Sequence, residues 1–317
     1  MARTAVTDAI ARKAAAGKQA AVAKTARKAA AKKAVSEKSA TKKTAVKKAA
    51  AKPATAKKAA ARRPAAKNAA PTLASERKAA QAAFAALPLP QRLSQALDGL
   101  RAAASAGHRA GMLRFAIPNE RAFGVPMAAI QALAKRVGRD RALAAALWDS
   151  GWYEARLLAA YLDDPAAVTA AQMDRWAREF DNWAVCDTVC FALFDRSAHA
   201  WAKIEQWARR EDEFVRRAAF ALLASKSVHD KAAEDAQFLR GLALIEAHAG
   251  DARNFVKKAV NWALRSVGKR NAALHAAALK TAARLAASAD AAPRWNGKDA
   301  LRELNGASVS ARLAKRK

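Results

Sequence analysis

Cysteine is nearly absent from this chain. The only two in 317 residues, Cys186 and Cys190, stand four apart on one predicted helix. That spacing makes poor disulfide geometry, and with no Cys/His set nearby it is no zinc site. Both read as small buried apolar residues in a reducing compartment. Glycine is scarce, at 12 residues, and β-branched runs are few. Those two shortages exclude a sheet-rich fold and point to an all-α one. No uninterrupted apolar stretch approaches the roughly 20 residues that span a bilayer. The N-terminus has no continuous apolar run of the secretory type. The five histidines are scattered without ligand spacing, so no metal and no cofactor is expected. A cytoplasmic monomer without a membrane partner is expected.

Acids are missing where bases are dense. Residues 1–70 hold 20 Lys and Arg against Asp8 and Glu37, a net charge of +18 out of a total of +31. The remaining +13 lies on residues 71–317. Basic pairs recur nearly every five residues, at 27/28, 32/33, 42/43, 47/48, 57/58 and 62/63, with Ala, Thr and Val between them. Five residues advance a helix by about 500°, so the pairs spiral around it and leave no face to bury. Residues 1–72 are therefore expected to be a disordered Lys/Ala-rich tail that binds DNA without sequence preference. Its composition resembles the tails of linker histones and bacterial histone-like proteins, which suggests a bacterial nucleoid.

The body is different. Pro71-Thr72 marks its start, and residues 73–305 are expected to form one helical domain, with 306–317 a short basic tail. Its length, some 240 residues, suffices for a substantial core. Thr169-Ala-Ala-Gln172 reads as a capping box, Pro126 and Pro165 suit helix starts, and Gly138, Gly250 and Gly268 suit helix ends. Trp152, Trp183, Phe214 and Phe255 follow one another at spacings of 31, 31 and 41 residues, each with charges within the next turn. A period of 30–45 residues in paired helices predicts a HEAT-like α-solenoid of antiparallel helix pairs. Equivalent helices of such a stack would bring the repeated charges to one concave basic groove.

Three segments carry the chemistry. Asp181–Asp187, Phe214–Ala218 and Phe255–Trp262 each set an aromatic ring beside a charge. Trp183 and Asp187, four apart, share a helix face, as do Phe255, Ala259 and Trp262. One carboxylate, several cations and two indoles suit a ligand with an anionic backbone and an electron-poor ring. An N-alkylated purine in DNA is such a ligand. It already carries positive charge, so it leaves as a neutral base and needs no general acid. The barrier is positive charge developing on the sugar, which a carboxylate and indole faces stabilise.

Residues 122–127, 147–158, 181–187, 214–219 and 255–265 resemble, in that order, segments of the AlkD-type HEAT-like alkylpurine DNA glycosylases. The likeness covers roughly 107–288. It implies hydrolysis of the N-glycosidic bond of 3-methyladenine and 7-methylguanine in duplex DNA, without insertion of the damaged base into a deep pocket. It implies that Asp187 is the catalytic carboxylate, with Trp183 and Trp262 as the sugar-facing indoles. Arg217 would contact phosphate and Phe255 would flank the site. Arg216, Lys257 and Lys258 join the expected DNA-binding set through the repeat. Asn182, Ala184 and Asn254 depart from the family, whose reference members often carry Trp, an acid and an aromatic there. Two other readings remain open: a DNA-binding or architectural protein without base excision, and a HEAT-type protein-binding scaffold. The basic excess of the body disfavours the scaffold.

Overall fold

The computed structural model describes residues 72–315, all within one unit of the chain that spans 69–317. The expected tail lies outside the described residues. Fifteen α-helices and no strand occur among those described. In chain order they are α1 Leu73–Ala85, α2 Leu89–Ala102, α3 Ala106–Met112, α4 Met127–Val137, α5 Arg141–Asp149, α6 Tyr153–Leu162, α7 Ala170–Arg178, α8 Trp183–Ala192, α9 Ala200–Ala208, α10 Glu213–His229, α11 Asp235–His248, α12 Asn254–Val267, α13 Ala272–Ala286, α14 Ala291–Leu304 and α15 Ala307–Ala314. Residues 306–317, expected to be a short tail, thus include α15, which buries Val309. None of these helices is long and apolar enough to cross a membrane.

The helices form two layers. In one, α4, α6, α8, α10, α12 and α14 each pack on the next. The other holds α5, α7, α9, α11 and α13. There Trp148 of α5 stacks on Trp176 of α7 at 4.0 Å. Asp174 of α7 accepts hydrogen bonds from Lys203 (2.6 Å) and Trp207 (2.8 Å) of α9. Partners about 30 residues apart recur through the stack, as a HEAT-like α-solenoid requires. The core runs continuously between the layers. α10 is its axis. Its Ala218, Ala219, Ala221 and Ala224 are fully buried, and these small side chains let α8 and α12 close on it from either side. At the α13–α14 contact a Cβ on Gly297 would stand 2.2 Å from the Ala286 nitrogen, so only glycine allows that approach.

Local signals in the sequence account for the helix boundaries. Thr169 caps α7 by accepting from the Gln172 amide at 3.1 Å. The Gln172 side chain turns to Asp163 at 2.5 Å rather than back to the cap, so only half of the capping box forms. Gly138 and Gly268 end α4 and α12. Pro126 stands at the cap of α4 rather than inside its first turn.

One buried carboxylate fixes the entry to the first row helix. Glu154 of α6 is fully buried and accepts from the backbone N–H groups of Phe123 (2.9 Å), Gly124 (2.7 Å) and Val125 (3.0 Å). Gly124 has φ +81° there, and a Cβ would meet the Ser105 carbonyl at 2.4 Å, so the position requires glycine. Truncating Glu154 to Ala leaves three inward amides without an acceptor. Glu154→Ala is expected to lower the unfolding free energy by about 3 kcal/mol or more, read from urea titration. A loss below about 1 kcal/mol would mean that water replaces the carboxylate.

Candidate nucleic-acid interface

The three chemistry-bearing segments occupy adjacent helices of the first layer. α8 begins at Trp183 because Asn182 caps it. The Asn182 side-chain oxygen accepts from the amides of Ala184 and Val185, both at 3.0 Å. A tryptophan at 182 would lose that cap. Ala184 is buried against Met112, Ile117 and Ala122, where an acid would lack a partner. Asn182 and Ala184 thus each have a defined local part in this structure. The third, Asn254, is exposed at the cleft edge beside Phe255.

Asp187 lies one turn after Trp183 on α8 and meets Arg217 of α10. Arg217 donates from Nε to Oδ1 at 2.9 Å and from Nη2 to Oδ2 at 2.7 Å. Its Nη1 donates to the Phe255 carbonyl of α12 at 2.7 Å. One guanidinium thus ties three helices together. The Asp187 side chain keeps 18% of its exposure and that of Arg217 only 7%. Burial pushes the Asp187 carboxyl above its ordinary value, and the charge and hydrogen bonds of Arg217 pull it back without cancelling the rise. Desolvation weakens the Arg217 cation, but the Asp187 charge outweighs it. A carboxylate can still accept here, because each oxygen has two lone pairs and Arg217 occupies one on each.

A cleft of about 470 Å³ is lined by Trp183, Arg217, Phe255, Lys258 and the 113–116 turn; Asp187 is outside that lining and reaches it through Arg217. The Trp183 ring is fixed by its own N–H, which donates to the Phe115 carbonyl at 2.8 Å. Trp262 stands apart from that lining. It stacks face to face on Phe191 of α8 at 5.0 Å and 6°, so one indole face is already covered. Phe191 follows Asp187 by one turn, which puts Trp183, Asp187, Phe191 and Trp262 along one side of the row. The spacing 183/187/191 contains Phe191, although the aromatic repeat alone does not select it.

The expected DNA-binding cations are not equally available. Arg217 is committed to Asp187. Arg216 pairs with Asp251 at 2.8 Å, and Arg253 pairs with the same carboxylate at 2.6 Å. Lys257 lies over the Trp295 ring at 5.1 Å. Lys258 is exposed at the cleft. Of the four cations, Lys258 alone combines exposure with a place on the lining. The turn adds Arg114, which the repeat does not contain. No group of three or more His, Cys, Asp or Glu that could hold a metal occurs among the described residues. Cys186 and Cys190 are free, buried thiols whose Sγ atoms face the carbonyls of Phe214 and Ala218.

Residues 96–304 match the family model of the DNA alkylation repair enzymes. The chain belongs to that family. A solved structure covers 70% of this chain and 95% of its own, with a TM-score of 0.59 at 20% identity. It is described as "a new family of proteins related to the HEAT-like repeat DNA glycosylases with affinity for branched DNA structures". That likeness establishes the HEAT-like fold of this family member. No curated protein matches the chain.

The Asp251 cluster makes a prediction about stability. Burial works against the Asp251 anion, but hydrogen bonds from Arg253 and Arg216 outweigh it and hold its carboxyl down at about 2. A depressed carboxyl stabilises the fold above its unfolded value of about 3.9 and loses that contribution as pH falls through its folded value. Asp251→Asn should therefore cost about 2 kcal/mol at pH 7. The gap between variant and unmutated protein should close as the pH approaches 2, in paired denaturant titrations. A gap that stays constant with pH would show that packing, not charge, sets the loss.

Proposed function

We propose that this protein is a DNA N-glycosylase that hydrolyses the glycosidic bond of cationic alkylated purines, 3-methyladenine and 7-methylguanine, in duplex DNA. The observation that carries the proposal is the Asp187–Arg217 pair beside the Trp183 cleft. The guanidinium favours an ionised carboxylate in a partly dry site, and the carboxylate keeps solvent access through its remaining exposure. As the purine departs, the sugar gains positive charge. Asp187 stabilises that charge and orients the attacking water. The Trp183 ring, locked by the Phe115 carbonyl, offers a rigid face to the same cation. Trp262 supports the row from its stack on Phe191 and presents its uncovered face. Lys258 and Lys257 contact phosphate and Phe255 flanks the ribose. Arg216 and Arg217 act on DNA through the groups they hold. The cationic leaving group explains why no acid is needed and why a shallow cleft is enough.

A second reading has one observation in its favour. The solved structure of this fold is described by its affinity for branched DNA, and the same helical row would serve a protein that binds DNA without releasing bases. Single-turnover assays on a duplex carrying 7-methylguanine separate the two. The unmutated protein should release free base, and Asp187→Asn should slow release by at least about 100-fold while largely sparing binding. Binding without release by the unmutated protein would support the second reading.

The pH profile tests the charge assignment. Release needs the Asp187 anion, so the rate should fall as pH drops through a pKa above the ordinary carboxylate value. Arg217→Met removes the opposing cation and should move that acid limb to higher pH. An unchanged limb would mean that another group sets it.

We propose that residues 1–70 tether the enzyme to DNA through phosphate contacts. If six to ten of their cations neutralise phosphates, affinity should fall about 10³–10⁵-fold between 50 and 200 mM salt. Deleting residues 1–70 should weaken binding and flatten that dependence, while release at saturating enzyme persists. Release lost despite full occupancy would give the segment a catalytic part.

A further inference from the structure

Residues 112–117 form a short turn with buried feet and an exposed tip. Its feet are Met112 and Ile117, which pack with Ala122 and with Ala184 of α8. The Ile117 amide donates to the Met112 carbonyl at 3.3 Å and closes the turn. Between the feet lies a single 3₁₀ turn, Leu113–Phe115, ended by Ala116 at φ +54°. Ala116 is the only non-glycine residue with positive φ among those described, in a region that a Cβ disfavours. The tip carries Leu113 at 59% and Phe115 at 61% exposure. Two exposed apolar side chains of that size on one short turn with an unfavourable backbone suit a contact in which both become covered.

The partner is indicated by what surrounds the tip. Leu113, Arg114 and Phe115 line the same cleft as Trp183, Arg217 and Lys258. The Arg114 guanidinium lies 5.9 Å from the Phe115 ring centre, so cation and flat apolar face are presented together. The Phe115 carbonyl receives the Trp183 indole N–H, which makes the tip continuous with the candidate site. A flat ring flanked by cations matches an unstacked base between phosphates better than an apolar protein surface.

We propose that the Leu113–Phe115 turn is a base-stacking wedge: Phe115, supported by Leu113, enters the duplex beside the damaged nucleotide and takes the place of a lost stacking neighbour, while Arg114 holds the adjacent phosphate. The proposal rests on the DNA-binding reading above but does not need base release. It deepens that reading by assigning preference for locally unstacked DNA to residues outside the helical repeat.

The test uses the full chain and two duplexes of one sequence, one intact and one with a tetrahydrofuran abasic analogue beside a 2-aminopurine. Basic residues 1–70 act on both duplexes alike, so the ratio of the two affinities isolates the wedge. The unmutated protein should prefer the abasic duplex and lower the 2-aminopurine emission as the Phe115 ring stacks on that base. Phe115→Ala should cut the preference by about 5- to 150-fold, Leu113→Ala by less, and Phe115→Trp should retain it. Both positions are largely exposed, and thermal unfolding followed by circular dichroism checks that the variants fold. The proposal is overturned if folded Phe115→Ala and Leu113→Ala keep the full preference, or if the unmutated protein binds both duplexes equally. A preference that depends on Phe115 in a protein that releases no base would sustain the wedge while removing the glycosylase assignment.

Discussion

A carboxylate that is mostly removed from water is costly to keep charged unless a partner comes with it. In this family member the partner is Arg217, and the consequences reach well beyond the pair. The guanidinium lies on α10, its carboxylate on α8, and its third acceptor is a carbonyl at the start of α12. The bond that opposes the effect of burial on Asp187 is therefore also the bond that ties together the three helices that line the cleft. Charge and geometry cannot be adjusted separately here. A residue that frees Arg217 for solvent would loosen the helical row and let burial neutralise the acid.

That commitment changes the electrostatics of the whole face. A basic excess of +13 on residues 71–317 suggests a groove of free cations, but several of the arginines in the repeat are held inside it. Arg216 and Arg253 share Asp251, and Arg217 belongs to Asp187. These contacts fix helix positions and reduce the field at a distance: the Arg217–Asp187 pair is neutral as a unit, and the Arg216–Asp251–Arg253 cluster keeps one net positive charge. The exposed cations on the cleft lining are correspondingly Lys258 and Arg114. In this row Arg216, Arg217 and Arg253 use the planar guanidinium fork to hold the frame, and Lys258, a mobile point charge, remains on the solvent side.

The fold was largely legible in the sequence because its signals are local or periodic. Helix caps at Thr169 and glycines at 138 and 268 depend on one or two turns of chain. The spacing of Trp152, Trp183, Phe214 and Phe255 reports the stack directly, since each caps or lies in the first turn of a helix of the same row. The three segments of the candidate site were also visible, and the structure brings Trp183, Arg217, Phe255 and Lys258 onto one cleft. The commitments of particular side chains were not visible. Nothing in Arg216-Arg217 says that one faces Asp251, 35 residues on, and the other Asp187, 30 residues back. Partner choice across helices depends on rotation and reach in three dimensions, which a repeat period does not encode. The capping box at Thr169 shows the same limit, because Gln172 found Asp163 instead of its own cap.

The 113–117 turn was missed for a related reason: it lies outside the repeat, and exposed apolar residues leave no periodic trace. It is joined to the site by a hydrogen bond from the Trp183 indole to the Phe115 carbonyl, besides the packing of its feet. That bond restricts the ring to one plane, and an indole stabilises a passing cation well only if its face is held toward it. The plane of Trp183 is thus set by a backbone atom of the turn rather than by α8 alone. The turn in turn keeps its shape only because Ala184 leaves room for Met112 and Ile117 beneath it. A larger side chain at 184 would have to be accommodated by a different packing of this turn. The small residue in α8, the left-handed Ala116 and the fixed indole are best understood as one local solution, in which the candidate site and the protrusion beside it are shaped together.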